Sequence, residues 1–198
     1  MEFIVPGLIM MSVITNSYSN VSSSFFSAKF QRNIEELMVA PVPTWVVIAG
    51  YVGGGVARAI LIGIIVTLVS LFFVDVQIHN IGVIVMTVLL TSVLFATAGL
   101  INAIFAKSFD DISVVPTFVL TPLTYLGGVF YSLSLLPEFW QVVSQANPVV
   151  YMVNGFRYGF LGVSDVDITT SLSLLVGFNV ILFSLAYYLL KTGKGIRS

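Results

Sequence analysis

The stretch IGVIVMTVLLTSVLFATAGLINAIFA, residues Ile81–Ala106, contains no ionisable side chain. A helix needs about 20 apolar residues to cross about 30 Å of hydrocarbon, and this stretch is long enough to do so. The rest of the chain agrees. Of its 198 residues 58% are hydrophobic and only 9% charged, with a mean hydropathy of +1.04. That is too little polar surface to cover a water-soluble globule, so the solvent of this protein is largely lipid.

Working outward, further spans are expected at Phe3–Phe25, Val52–Val74, Ile112–Tyr131 and Ser171–Leu190, giving an all-α polytopic helical bundle with about five transmembrane helices. The first carries Asn16-Ser17-Tyr18-Ser19-Asn20 and Ser22-Ser23-Ser24, so it should face protein or a cavity rather than lipid. Lys29 and Arg32 flank the first connection, Lys107 the third, and Lys191, Lys194 and Arg197 the tail. Lys and Arg concentrate in cytoplasmic loops, so these connections and the C-terminus are expected in the cytoplasm. Met1 would then lie outside. A chain that opens two residues before a span is what a longer protein without its first helix looks like, and N-terminal truncation is the expectation.

The cytoplasmic segment 27–43, SAKFQRNIEELMVAPVP, places Lys29, Arg32, Glu35 and Glu36 within eight positions. Phe30, Ile34, Leu37 and Met38 recur at the spacing of one helical face, Arg32 and Glu36 could pair across a turn, and Pro41 and Pro43 stop the helix. A short amphipathic helix is expected. Its two adjacent carboxylates fit a protein partner better than a membrane surface, where Lys and Arg dominate, although a solvated helix on the headgroups is the alternative.

Residues 132–162 are too polar and too broken by proline to span, yet too aromatic to float free. Irregular backbone at membrane depth survives only where protein or water satisfies its amides. Two short helices dipping in from outside, split near Asn147-Pro148, are expected, with Phe139, Trp140, Phe156 and Tyr158 at headgroup depth. Gly127 and Gly128 would bend the preceding span or pack it closely, and Gly155 and Gly159 would share one face of the returning helix. An aromatic interfacial loop is the alternative.

Taken together, Pro6-Gly7, the run Ile34-Glu35-Glu36-Leu37-Met38-Val39-Ala40-Pro41, the run from Pro122 to Phe130, Leu136-Pro137, Asn147-Pro148 and Gly155-Phe156-Arg157-Tyr158-Gly159 resemble the permease subunits of type-2 ABC transporters. The resemblance is closest in the drug- and nodulation-type branch of bacterial inner-membrane exporters. It implies six spans in a full-length member, a single permease domain over residues 1–198, and a separate cytoplasmic ATPase that docks on the loop around Phe30, Arg32, Ile34, Glu35, Glu36, Leu37 and Pro41. Glu35 falls on the family's loop glutamate and Pro41 on its loop proline, whereas Asn33-Ile34 and Ala40 depart from the usual pattern. It also implies that Gly127, Gly128, Pro137, Asn147, Pro148, Gly155, Arg157 and Gly159 belong to an external re-entrant hairpin capping the exit. A permease homodimer in the inner membrane, exporting a hydrophobic or amphipathic substrate with no cofactor bound directly and ATP supplied through the partner, is the implied function.

The residues themselves agree. Lys191-Thr192-Gly193-Lys194-Gly195 has neither the spacing nor the preceding strand of a phosphate-binding loop, so ATP must be hydrolysed elsewhere. No carboxylate lies deep in a span, which weighs against a proton- or sodium-coupled carrier. His79 is the only histidine and cysteine is absent, so neither a catalytic triad nor a metal cluster is available. No basic stripe for nucleic acid exists. A non-transporting membrane scaffold is the remaining alternative. Arg58 is expected to snorkel to the cytoplasmic headgroups if its helix crosses from about Val52. Gly50, Gly54, Gly55, Ala59 and Gly63 give four-residue small spacing for close helix approach, inside one bundle or at a dimer seam.

Overall fold

The computed structural model describes residues 2–34, 36, 41–74 and 78–195. These form α1 (Ile4–Phe30), α2 (Thr44–Ser70), α3 (Ile81–Phe105), α4 (Phe109–Val115), a π turn (Pro116–Leu120), α5 (Thr121–Tyr125), a 3-10 turn (Leu133–Leu135), α6 (Glu138–Gln145), α7 (Pro148–Leu161) and α8 (Ile168–Thr192), with no strand among the described residues. The fold is an all-α bundle. Helices α2, α3 and α8 are each long and apolar enough to cross a bilayer on their own.

Helix α1 is as long as α2 but more polar, and it is the hub: α2, α3 and α7 all pack against it. Its Ile9, Met10, Val13, Ile14, Ser17, Tyr18, Val21 and Phe25 are buried. Of the polar run, Ser17 and Ser22 are enclosed by the bundle, whereas Asn16, Ser19 and Asn20 are half-exposed and Ser23 and Ser24 exposed. Close approach is set by missing side chains. A Cβ on Gly99 of α3 would stand 2.5 Å from the Tyr18 carbonyl oxygen, and one on Gly55 of α2 would stand 2.5 Å from Val21 Cγ2. Gly55, Ala59 and Gly63 are all buried and serve packing inside the protomer. Gly50, Gly53 and Gly54 are exposed.

Three expected boundaries differ. The fourth span, expected over Ile112–Tyr131 with a bend or close packing at Gly127 and Gly128, is helical only from Phe109 to Tyr125 and carries a π turn. The cause is Pro116 and Pro122, which lack an amide hydrogen and clash with the carbonyl four residues back. The Pro116 carbonyl accepts from the Thr121 amide, five residues on, and also from Thr121 Oγ1 at 2.9 Å, which fixes the π turn. The helix that carries the second span begins at Thr44, directly after Pro43 at its N-cap, and so extends the expected Val52 boundary by about two turns.

The third difference lies in the loop. Phe30 does not share a helical face with Ile34: α1 runs unbroken to Phe30, and the chain then turns through Arg32, whose φ of 62° is the left-handed region. That turn also removes the helical ladder that would have paired Arg32 with Glu36. Asn33, Ile34 and Glu36 are helical beyond it. Glu35, Leu37 and Met38 lie outside the described residues.

Candidate functional site

One end of the bundle gathers the basic residues. Lys29, in the last turn of α1, donates from its Nζ to the carbonyls of Ile104 (2.6 Å), Ala106 (3.0 Å) and Gly195 (2.9 Å). These are carbonyls at the C-terminal ends of α3 and α8, where helices leave acceptors unpaired and carry partial negative charge. One ammonium with three donors therefore ties three helix ends together. The sequence marks Lys29 as a cytoplasmic flank and as one charge of the 27–43 segment; its near neighbours give no sign of partners 75 and 166 residues away.

Beside it, Phe26, Phe30 and Phe109 form an aromatic group with centroids 4.8–6.2 Å apart, joining the end of α1 to the start of α4. The start of α4 is itself fixed by a capping box: Ser108 Oγ accepts from the Asp111 amide, while Asp111 accepts from the amides of Lys107 and Ser108. Those bonds, the Lys107 amide foremost, hold the Asp111 carboxyl below the usual carboxylate range. Ile34 is buried against the same cluster, whereas Arg32, Glu36 and Pro41 are exposed. The arrangement presents polar groups outward on a segment anchored to α1, α3, α4 and α8 at once.

The opposite end holds the helix pair α6 and α7, divided at Asn147 and Pro148. Asn147 caps α7 by accepting from the Val149 amide, and its Nδ2 donates 2.7 Å to the Leu123 carbonyl of α5. Pro148 occupies the first turn of α7, where a missing amide hydrogen is harmless. Gly127 packs closely on this helix start, since a Cβ there would stand 2.6 Å from Val149 Cγ1. Gly128 turns the chain with φ 75° and accepts at its carbonyl from Arg157 Nη2.

Arg157 is 1% exposed and lies with its guanidinium 3.7 Å from the centre of the Phe3 ring. Arg157 thus joins α7, the turn that follows α5 and the residue that precedes α1. Gly155 and Gly159 share the face of α7 that meets α3, against Thr87 and Ile84 respectively. The Gly159 carbonyl accepts from the amides of His79 and Asn80. The Asp165 carboxylate accepts from Ser132 Oγ and the Leu133 amide, and the Asp165 amide donates to Asn154 Oδ1, which closes the loop beyond α7.

Pro137 starts α6 and is exposed, as are Phe139 and Trp140. Phe156 differs from Phe139 and Trp140 in its surroundings. It is buried with Phe160 and lines an apolar cavity of about 330 Å³ between α1, α2, α3 and α7, because α7 turns that face to the bundle.

Between the two ends, α1 leaves one edge uncovered by its own protomer. Thr15 and Ser23 are exposed and Ser12, Asn16, Ser19 and Asn20 half-exposed. Their side chains mostly bond back to carbonyls of α1 itself. Ser19, Ser22 and Ser23 face Ser113 and Thr117 across a groove of about 330 Å³ beside the π turn.

An all-helical bundle with a hydroxyl-lined edge and two differently built ends is the frame of a membrane transport permease, and the comparisons with known proteins agree. The chain belongs to the ABC-2 type transporter family, whose model matches residues 1–161. It is 66% identical over 198 residues to the inner membrane transport permease YadH of Escherichia coli strain K12, covering all of this chain and 77% of that protein. It is 23% identical over 190 residues to nodulation protein J of Rhizobium leguminosarum bv. trifolii, covering 96% of this chain and 72% of that protein, and equally so to its counterpart in Rhizobium meliloti. The chain is therefore a transporter component rather than a catalytic enzyme.

Proposed function

We propose that the chain is the membrane subunit of an ATP-driven exporter of the inner membrane, with its basic end and C-terminus in the cytoplasm. The observation that carries the reading is the polar edge of α1, Ser12, Thr15, Asn16, Ser19 and Ser23, left open in a bundle whose other faces are apolar. In lipid such an edge gains nothing, whereas two copies placed edge to edge would enclose a hydroxyl-lined path. A separate ABC ATPase docks on the segment 27–43 through Arg32, Glu35, Glu36 and Pro41. Nucleotide-driven closure of the ATPases moves that segment, and the Lys29 bonds and the Phe26–Phe30–Phe109 group carry the motion to α1, α3, α4 and α8. The α6–α7 pair, held by Asn147 and Arg157, caps the outer end. A substrate with apolar and polar parts suits a path of hydroxyls set in an apolar bundle.

The test is to purify the full-length permease with its ATPase and compare turnover with and without the permease. The expected result is co-purification, altered turnover, and loss of both with Glu36→Lys. An ATPase that neither binds nor responds would replace the exporter with a membrane scaffold.

A further inference from the structure

We propose that Arg58 is an anion-recognition residue halfway along the translocation path, receiving the carboxylate, sulfate or phosphate group of an amphipathic substrate. The proposal rests on the reading of the α1 edge as that path. Arg58 is the only charged residue of α2 and is exposed. With a rise of about 1.5 Å per residue, it stands about 21 Å from Thr44 and about 18 Å from Ser70 along the helix axis. It therefore stands about halfway along α2.

Its neighbours follow from the packing register. A Cβ on Gly54 would lie 3.9 Å from Asn20 Oδ1, Gly55 meets Ser17 and Val21, and Gly63 meets Val13, so α1 and α2 run antiparallel. Arg58, one turn past Gly54 on the same face, falls alongside Asn16, one turn back from Asn20. The charge thus borders the polar edge of α1. Helical side chains lean toward the N-terminus of their helix, here over Gly54 and Gly50, which offer no side chain to obstruct the guanidinium.

A cation at mid-membrane is costly unless paired or wet. The long helices α1, α2, α3 and α8 contain no Asp or Glu, so neither this protomer nor a second copy facing it supplies a carboxylate from those helices. Among the described carboxylates, Asp110 and Asp111 lie at the start of α4 at the basic end, so the counter-charge at Arg58 is left to a bound anion. A translocated anion and a lipid phosphate share this chemistry, and they differ in whether water reaches the site.

The chain has no cysteine, so single cysteines at Asn20 and Ser12 in the full-length permease assembled with its ATPase report the path directly. The probes are the anionic 2-sulfonatoethyl and the cationic 2-(trimethylammonium)ethyl methanethiosulfonates. Both positions are expected to react, with a higher anion-to-cation rate ratio at Asn20→Cys, beside Gly54 where the guanidinium leans, than at Ser12→Cys. Arg58→Gln should lower the ratio at Asn20→Cys about tenfold and Arg58→Lys should preserve it. Reaction at Ser12→Cys without reaction at Asn20→Cys, or equal ratios at the two positions, would overturn the role of Arg58 and leave the path standing. Silence at both positions would overturn the path itself and the proposal with it. If Arg58→Gln does not assemble, the ratio at the two positions in the otherwise unchanged protein decides.

Discussion

Replacing Lys29 with methionine keeps the apolar stem and removes the ammonium from three carbonyls at 2.6, 3.0 and 2.9 Å. A hydrogen bond involving a charged group contributes about 1.5–3 kcal/mol. The three share one donor and the site is half-buried, so water recovers part of the loss and the contributions do not add. A net cost of about 3 kcal/mol is the result, part of it from losing a positive charge at two helix C-termini. For a chain of this size about 1 kcal/mol moves a melting midpoint by roughly 2–4 °C, so Lys29→Met should lower the midpoint by about 10 °C in detergent. Lys29→Arg keeps the charge but presents its donors in one plane, and should lose about a third as much. The measurement is thermal melting of the purified full-length protein, followed by ATPase turnover per transport event. Because Lys29 links the end of α1 to α3 and α8, Lys29→Met should also raise turnover that yields no transport. A midpoint within about 2 °C of the parent, with coupling intact, would refute the claim that this ammonium holds the three helix ends together.

Other substitutions separate packing from gating. Gly99→Ala places a methyl 2.5 Å from the Tyr18 carbonyl oxygen, a backbone atom that cannot swing away, and should cost about 1–3 kcal/mol, read as a lower melting midpoint. Gly155→Leu presses α7 off α3, where even a Cβ would stand 3.1 Å from Thr87 Oγ1, and should impair transport while ATPase co-purification at the other end persists. Unchanged transport would remove the α6–α7 pair from the exit. Cysteines at Gln31, Ser108 and Lys194 should be protected from an impermeant thiol reagent in intact cells, and those at Asn80 and Ser134 labelled; the reverse pattern would invert the orientation. Asp111 has a lowered folded pKa, so its capping of α4 is complete above the ordinary carboxylate value of about 3.9 and is lost as pH falls through the folded value. The Asp111→Asn protein should therefore differ from the parent in melting midpoint near neutral pH, with the difference shrinking in acid.

Much of this molecule was legible in one dimension, because a bilayer imposes constraints that act residue by residue. The uncharged run Ile81–Ala106 had to be a helix, since lipid offers no partner to an open backbone. Asn147-Pro148 had to divide two helices, since the side chain of Asn caps and Pro tolerates only a first turn. The polar run Asn16–Asn20 announced that α1 would face protein or a cavity rather than lipid. What the tertiary structure decided depended on contacts distant in sequence or on backbone competition. Lys29 became a tie between helix ends only when Ile104, Ala106 and Gly195 were brought beside it. Phe30 and Ile34 were parted by the left-handed turn at Arg32, which hydrophobic periodicity does not register. The glycines of α2 looked alike in spacing, yet Gly55 and Gly63 meet α1 while Gly50 and Gly53 meet nothing within 4 Å. The face a helix turns to its neighbour is set by the neighbour's shape, and no local pattern carries that information.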